Sequence, residues 1–404
     1  MDIKHFKTVT EFSSQLDLPA DGHFVGRIWM PAGEADNGIA GPRVVEWRAG
    51  ELRLTPFATM TDLINDPAPI NEWSGRGRVP GSLEEIYRNS LFTCRAESLA
   101  DESHCVLLAP NDLLATRACG VTFVKSLLER VVEEKAKGDP AKAQAVRGMI
   151  LEVLGENLAA VEPGSPATVL LKEKLIAAGM WSQYLEVGIG KDAEIFTKTQ
   201  PMASVGYGQQ IGVLPDSHWN NPEPEVVLAV SSDGRIRGAT LGNDVNLRDY
   251  EGRSALLLGE AKDQNGSCAI GPMIRLFDEQ FTLATAAGLE VELVITGEDG
   301  FHSQGRNRMA EISRPLEKLV AQAIGRHHQY PDGLMLFLGT MFAPTDDRDA
   351  EGEGFTHHCG DRVEIRTPAL GALVNWVNHT DKIPPWDYGI TALTRFLIQQ
   401  TISK

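Results

Sequence analysis

The chain of 404 residues has little cysteine, few bases relative to acids, and no long apolar run. Its cysteines are Cys94, Cys105, Cys119, Cys268 and Cys359, an odd number with no CxxC pair. That pattern supports neither a disulfide framework nor a structural zinc site, and it favours a reducing, cytoplasmic setting. No apolar stretch approaches the roughly 18 residues a transmembrane helix needs, and the N-terminal MDIKHFKTVTEFSS has no apolar core of a secretory leader. Bases are outnumbered 38 to 55, a net charge of −17. Nucleic acid and anionic membranes attract basic surfaces, so neither is expected as a partner. Also missing are a GxSxG elbow, a GxxxxGK[ST] loop and any internal repeat. Gly206-Tyr207-Gly208 is too short to be a dinucleotide fingerprint.

What is present is an ordinary folded composition, 42% hydrophobic and 23% charged, in a chain long enough for two to three domains of about 150 residues. Residues 1 to about 85 read as short strands and turns, with a hairpin at Ala49-Gly50, followed by a short helix from Ser82 to Leu91 capped by Ser82. The middle is helical. Leu127, Leu128, Val131 and Val132 have helical spacing, Asp139-Pro140 suits the start of a second helix, and Pro166–Ala178 a third. The remainder returns to strands. PEVVLAVSSDGRIRGATLG and LEVELVITGEDGFHSQG are hairpins, GLMLFLGTMFAP is a buried strand running into a loop, and short helices are expected over 313–326 and 386–401. The fold class is α+β: a small β-rich N-terminal domain over 1–110, then a mixed domain over 111–404 with a helical segment at about 117–178.

Two acidic clusters carry possible chemistry. In Asn221-Pro222-Glu223-Pro224-Glu225 the glutamates are one residue apart, so on an extended strand they share a face. The prolines hold the backbone extended. Two carboxylates so close repel unless a cation or a proton intervenes, although a solvated acidic edge strand would look the same. The second cluster, Asn243-Asp244-Val245-Asn246-Leu247-Arg248-Asp249, follows the first hairpin and returns Asp244 to the same sheet end. Three oxygen ligands suit a hard cation such as Mg²⁺ or Mn²⁺, while a turn capped by Asn and Asp is the plainer alternative. His327-His328 and His357-His358 are weaker metal candidates, because neighbours on a strand point opposite ways. The Glu129–Lys137 run reads mainly as a solvated helix face.

Glu223-Pro224-Glu225, the NDxxxRD run at 243–249, Lys262, Ile270-Gly271-Pro272, Gly339-Thr340 and Gly360-Asp361 together resemble the fumarylacetoacetate hydrolase superfamily. The resemblance implies a mixed β-roll with a helical lid, and a divalent cation, Mg²⁺ or Mn²⁺, held by Glu223, Glu225 and Asp244. It further implies Lys262 as a catalytic cation, Thr340 as a substrate-carboxylate contact, and Lys198 and Ser204 as pocket residues. Members usually form homodimers or homotetramers. Their lid carries a G-x-N-Y-x-x-H-x-x-E segment whose His and Glu activate water. Here Gly120–Glu129 keeps the glutamate, Glu129, but has Ser126 in place of the histidine. Serine cannot polarise water as imidazole does.

That departure, with Val121-Thr122-Phe123, Glu129-Arg130, Trp219–Pro222, Cys268–Pro272 and Gly354–His357, is similar to a sugar-acid branch of the superfamily, the 2-keto-3-deoxy-D-xylonate and D-arabinonate dehydratases. The resemblance implies a metal-dependent hydro-lyase that dehydrates a small anionic 2-keto acid to 2,5-dioxopentanoate in pentose catabolism, with Glu129 and Ser126 on the lid and Glu129 as the acid/base. The alternatives are an acylpyruvate or diketo-acid C–C hydrolase and an inactive keto-acid-binding relative.

Overall fold

A computed structural model describes residues 18–93, 104–137, 139, 142–143, 162–177, 179 and 181–402. In chain order its strands are β1 His23–Met30, β2 Gly41–Arg48, β3 Glu51–Leu54, β4 Val106–Leu108, β5 Ala115–Cys119, β6 Ile195–Thr199, β7 Gln210–Val213, β8 Asn220–Asn221, β9 Pro224–Val230, β10 Ile236–Asp244, β11 Asn246–Leu247, β12 Cys268–Leu276, β13 Glu290–Thr296, β14 His302–Arg308, β15 Leu334–Phe337, β16 Arg362–Thr367 and β17 Gly371–His379. The larger sheet runs β3-β2-β1-β12-β10-β9-β15-β5-β6, with β4 paired to β1. The second runs β14-β13-β16-β17-β7, and β8 and β11 form a separate pair. Most pairing is antiparallel, but β15 with β5 and β17 with β7 are parallel. The boundary expected near residue 110 falls between β4 and β5. Both strands belong to the larger sheet, which β1 joins through β12.

Side-chain alternation sets the layers. On β9, Val226, Leu228 and Val230 face the second sheet and pack with Leu293, Ile295, Ile365 and Leu373 in the main core. Val227 and Ala229 face the other way, onto Met60, Leu63 and Ile64. Each such fully buried side chain contributes roughly 1.5–3 kcal/mol. Those three residues belong to the helix Met60–Asn65, which the strand reading of the N-terminal stretch did not foresee. Its start is a capping box in which the Thr59 hydroxyl accepts from Asp62. The carboxylate of Asp112 accepts its first amides from Met60 and Thr61 at 2.6 and 3.0 Å.

The predicted hairpins are observed. Ala49 and Gly50 both have positive φ between β2 and β3, and β9–β10 and β13–β14 turn where expected. The helix read at 82–91 spans Leu83–Thr93, with the Ser82 hydroxyl accepting from the Glu85 amide. The C-terminal helix starts at Ile390, four residues later than read, beyond Pro384-Pro385. The helix expected after Asp139-Pro140 lies largely outside the described residues. Val124–Ala136, Pro166–Ala177 and Gln183–Ile189 are helices, and Leu127, Leu128, Val131, Leu175, Leu185 and Trp219 share one apolar cluster. Among the described residues no helix is long and apolar enough to cross a membrane.

Candidate active site

The apolar face of β9 ends where its sequence turns acidic. Glu225 and Val227 share a face, and Glu223 follows at the strand's mouth. Pro224 opens the strand, the position where its missing N–H costs no ladder bond. The amide of Glu223 donates to the side chain of Asn243 at 3.0 Å, and the amide of Asp244 donates to the Glu223 carbonyl at 3.0 Å. This double clamp sets the end of β10 against the start of β9. One carboxylate oxygen from each of Glu223, Glu225 and Asp244 lies within 4.8 Å of the others. All three residues are buried in the sheet interior, which removes the reading of a solvated acidic edge strand.

β15 supplies the other wall. Gly339, just past its end, has φ +101°. This turn directs the Gly339 amide to Glu225 at 2.7 Å and the Thr340 hydroxyl to Glu223 at 2.7 Å. Lys262, at the end of the helix Leu258–Lys262, places its ammonium 2.6 Å from Glu223 and 3.2 Å from Asp244. Lys198 on β6 is fully buried, with its ammonium 2.8 Å from Asp244 and donating to the carbonyls of Val245 and Lys262.

The Val124–Ala136 helix reaches the same carboxylates. Its Arg130 bonds Glu223 and Glu133, the latter at 2.7 Å, and lies 3.2 Å from Glu251. Arg248, the one basic residue of the NDxxxRD run, lies over the Trp219 ring at 4.4 Å and bonds Glu133 at 2.6 Å and Glu129 at 3.1 Å. The reading of 129–137 as a solvated face therefore fails for Arg130 and Glu133, which are buried, and holds for Lys135 and Lys137.

Of the residues expected at the site, Glu223, Glu225, Asp244, Lys262, Lys198 and Thr340 come together directly. Glu129 is partly buried and joins them through Arg248. Ser126 is on the same helix, but its hydroxyl donates to the Phe123 carbonyl at 3.0 Å. Ser204 accepts from Asn111 at 3.2 Å and lines a separate cavity of about 130 Å³ with Arg27, Trp29 and Tyr388. Glu133 and Glu251 carry no motif in the sequence, and Arg130 enters it only beside Glu129 in the sugar-acid resemblance. Their partners are up to 121 residues away in sequence, so no local pattern marks them.

Electrostatics differ sharply within the triad. Burial alone would raise Glu223, but Arg130, Lys262 and the Thr340 hydroxyl outweigh it and hold the carboxyl down at about 2. Glu225 lacks a cation of its own, and burial with the Asp244 and Glu223 charges pushes it well above the ordinary range. Burial disfavours charge on Lys262, yet Asp244 and Glu223 prevail and raise it. Partly buried Glu194, ahead of β6, is raised to about 7, first by burial and then by Glu251.

The donor set fits a divalent cation. Glu129, Glu133, Glu223, Glu225, Asp244 and Glu251 meet Arg130, Lys198, Lys262 and Arg248. Six carboxylates against four cations leave two negative charges when all are ionised. Nearby buried polar atoms also take part in no hydrogen bond: Asn221 Oδ1, both side-chain polar atoms of Asn246, and Glu251 Oε2, which has only its ion-pair contact with Arg130. Buried polar groups are seldom left this way except where a ligand, ion or water completes them.

Residues 192–378 match the sequence model of the fumarylacetoacetate (FAA) hydrolase C-terminal family. The chain is 34% identical over 190 residues to 2-dehydro-3-deoxy-D-arabinonate dehydratase of Saccharolobus solfataricus, covering 47% of this chain and 60% of that protein. It is 30% identical over 200 residues to a probable 2-keto-3-deoxyxylonate dehydratase of Haloferax volcanii, covering 50% and 65% respectively. The matched stretches thus span less than two thirds of these curated relatives. A solved 2-keto-3-deoxy-D-arabinonate dehydratase, complexed with magnesium and 2,5-dioxopentanoate, has the same fold, with a TM-score of 0.57 at 21% identity over 88% of this chain and 99% of that one. The chain carries a fumarylacetoacetate hydrolase family domain across residues 192–378 and resembles the 2-keto-3-deoxy sugar-acid dehydratases.

Proposed function

We propose that this protein is a hydro-lyase that removes water from a 2-keto-3-deoxy sugar acid of the pentonate class, giving 2,5-dioxopentanoate, with Mg²⁺ or Mn²⁺ held by Glu223, Glu225 and Asp244. The observation that carries the reading is the combination of a buried carboxylate triad with a helix that offers a carboxylate, Glu129, and no imidazole. Hydrolysis of a C–C bond needs a group that activates water, and Ser126 spends its proton on a backbone carbonyl. Dehydration needs a residue that moves protons between C3 and the departing C4 hydroxyl. The unsaturated 5-hydroxy product then tautomerises through its enol, C5 losing a proton and C3 regaining one, to 2,5-dioxopentanoate. The two relatives named above carry dehydratase names.

Bound at the triad, the cation would supply Lewis-acid polarisation of the 2-carbonyl, which acidifies the C3 protons. The chain provides the rest. The Lys262 ammonium offsets negative charge that develops on the substrate oxygen. Thr340 and the Gly339 amide fix the carboxylates of Glu223 and Glu225, so that the triad does not reorganise during the reaction. Glu129 takes the C3 proton and returns one to the leaving hydroxyl, with Arg248 holding it in place. Lys198 anchors Asp244 from behind. The substrate is an anion in an acidic protein, so Lys198, Lys262 and Arg130 set the local sign against the global −17.

Incubation with 2-keto-3-deoxy-D-xylonate or D-arabinonate and Mg²⁺ should yield a semialdehyde that an NAD(P)-linked dehydrogenase oxidises. Absence of product from every 2-keto-3-deoxy pentonate would sink the proposal, and pyruvate released from an acylpyruvate would replace it with the hydrolase reading.

A further inference from the structure

Both oxygens of Glu223 are already occupied within the chain. Oε1 accepts from Arg130, and Oε2 accepts from Lys262 and Thr340. Glu225, in contrast, accepts from the Gly339 amide and lies 3.4 Å from the Thr340 hydroxyl, with no side-chain cation against it. A cation that engages Glu223 through Oε1 therefore meets the Arg130 guanidinium there and competes with its charge. Arg130 is buried, and expelling its charge with no new partner would be costly. The structure offers a destination. Glu251 Oε2 lies 3.2 Å from Arg130 Nη1, within ion-pair range, yet takes part in no hydrogen bond. Glu133 cannot serve as this outlet. Its Oε2 is already bonded to Arg130 and its Oε1 to Arg248, so it acts as a fixed pivot one helical turn from Arg130.

We infer that Arg130 is a built-in stand-in for the cation at Glu223, and that it transfers from Glu223 to the unbonded oxygen of Glu251 when the cation binds. This rests on the cation reading of the triad given above. The exchange keeps Arg130 paired in both states and keeps the Val124–Ala136 helix, which carries Glu129, seated over the site. It makes Arg130 a positioning residue: it touches no reacting atom but couples occupancy of the triad to the seat of that helix. Glu251 likewise acts only by receiving it.

A double-mutant cycle on the full-length, chelator-stripped protein tests this, with Mn²⁺ binding followed by titration calorimetry. Simple electrostatics predicts that removing Arg130 tightens binding, that removing Glu251 weakens it, and that the two effects add. Exchange predicts coupling: Glu251→Gln should weaken Mn²⁺ binding about ten-fold with Arg130 present and less than about two-fold in an Arg130→Gln background. Should Arg130→Gln fail to fold, hydrogen exchange in the single variant Glu251→Gln decides. Mn²⁺ should lower protection of residues 124–136 in that variant and leave it unchanged or raised in the wild type. Additive fold-changes, or the same exchange response in both proteins, would overturn the transfer alone. No Mn²⁺ uptake by the wild type would overturn the triad assignment and the transfer with it.

Discussion

Arg348 grips Asp361 with both arms of its guanidinium, Nη1 to Oδ2 at 2.5 Å and Nη2 to Oδ1 at 2.7 Å. The same carboxylate accepts from the His358 amide at 2.9 Å and lies 3.2 Å from His357 Nδ1. Burial would raise Asp361, but Arg348 and His357 prevail and bring it down to about 2, from an ordinary 3.8. The folded value lies below the unfolded one. The associated stability, about 2 kcal/mol, is therefore fully present above pH 4 and is lost as pH falls through about 2. Asp361→Asn should lower the urea midpoint clearly at pH 7, and the gap to the wild type should shrink steadily below pH 4. A gap that stays constant down to pH 3 would show that the charge of Asp361 is not what stabilises this loop.

Glu223 and Glu225 are chemically identical and separated by one residue, yet they should respond very unequally to neutralisation. Glu223 sits between Arg130 and Lys262, so Glu223→Gln leaves two buried cations short of a partner and should cost about 3–5 kcal/mol in the cation-free protein. Glu225 has no side-chain cation against it, and burial beside Asp244 and Glu223 disfavours its charge, so Glu225→Gln should cost less than about 1 kcal/mol. Both variants should lose divalent-cation binding. Denaturant unfolding in the presence of EDTA gives the ranking, and a costlier Glu225→Gln would contradict the charge assignment.

Gly339 is required twice over. Its φ of +101° strains any residue with a side chain, and a Cβ there would sit 2.0 Å from the Thr122 hydroxyl. Gly339→Ala should cost more than about 2 kcal/mol and, by shifting the adjacent Thr340, should weaken cation binding as well. Adding Thr122→Ala removes the hydroxyl clash but not the backbone strain or the approach of the Thr122 Cβ and Cys119 carbonyl at 3.1 and 3.2 Å, so the pair should regain only part of the stability. Full recovery would mean that the turn itself carries no strain.

The triad could be read from sequence because its signals are local. An E-x-E spacing sets the face, the prolines set the extended backbone, and a hairpin fixes where Asp244 returns. The charge network around it could not. Arg130 meets Glu223 across 93 residues and Arg248 meets Glu133 across 115, and before folding Arg130 and Glu133 are ordinary members of a charged helix. The helix Met60–Asn65 was missed for a different reason. Its Thr59…Asp62 capping box was legible, but the strand-rich surroundings and the helix's short length masked it. Asp112, which holds its first turn, is about 50 residues away. The pairing of β1 with β12 and the parallel match of β15 to β5 depend on long-range closure, which periodicity does not specify.

Proton transfer at the site turns on two residues one helical turn apart. Ser126 and Glu129 lie on the same side of the Val124–Ala136 helix, where a water-activating pair would be expected, but they are held differently. The Ser126 hydroxyl is bonded to the Phe123 carbonyl, an interaction internal to the helix's first turn. The Glu129 carboxylate is held from outside by Arg248, which in turn is fixed by Glu133 and the Trp219 ring. If protons are moved by Glu129, Glu129→Gln should reduce kcat by about 100-fold or more while leaving cation affinity within about two-fold. Ser126→Ala should cost about 1 kcal/mol of stability and less than about three-fold in kcat. Steady-state kinetics on the two variants, with Mn²⁺ titrations alongside, separate the roles. Equal losses from both would place Ser126 in the proton path and would require its hydroxyl to leave Phe123 during turnover.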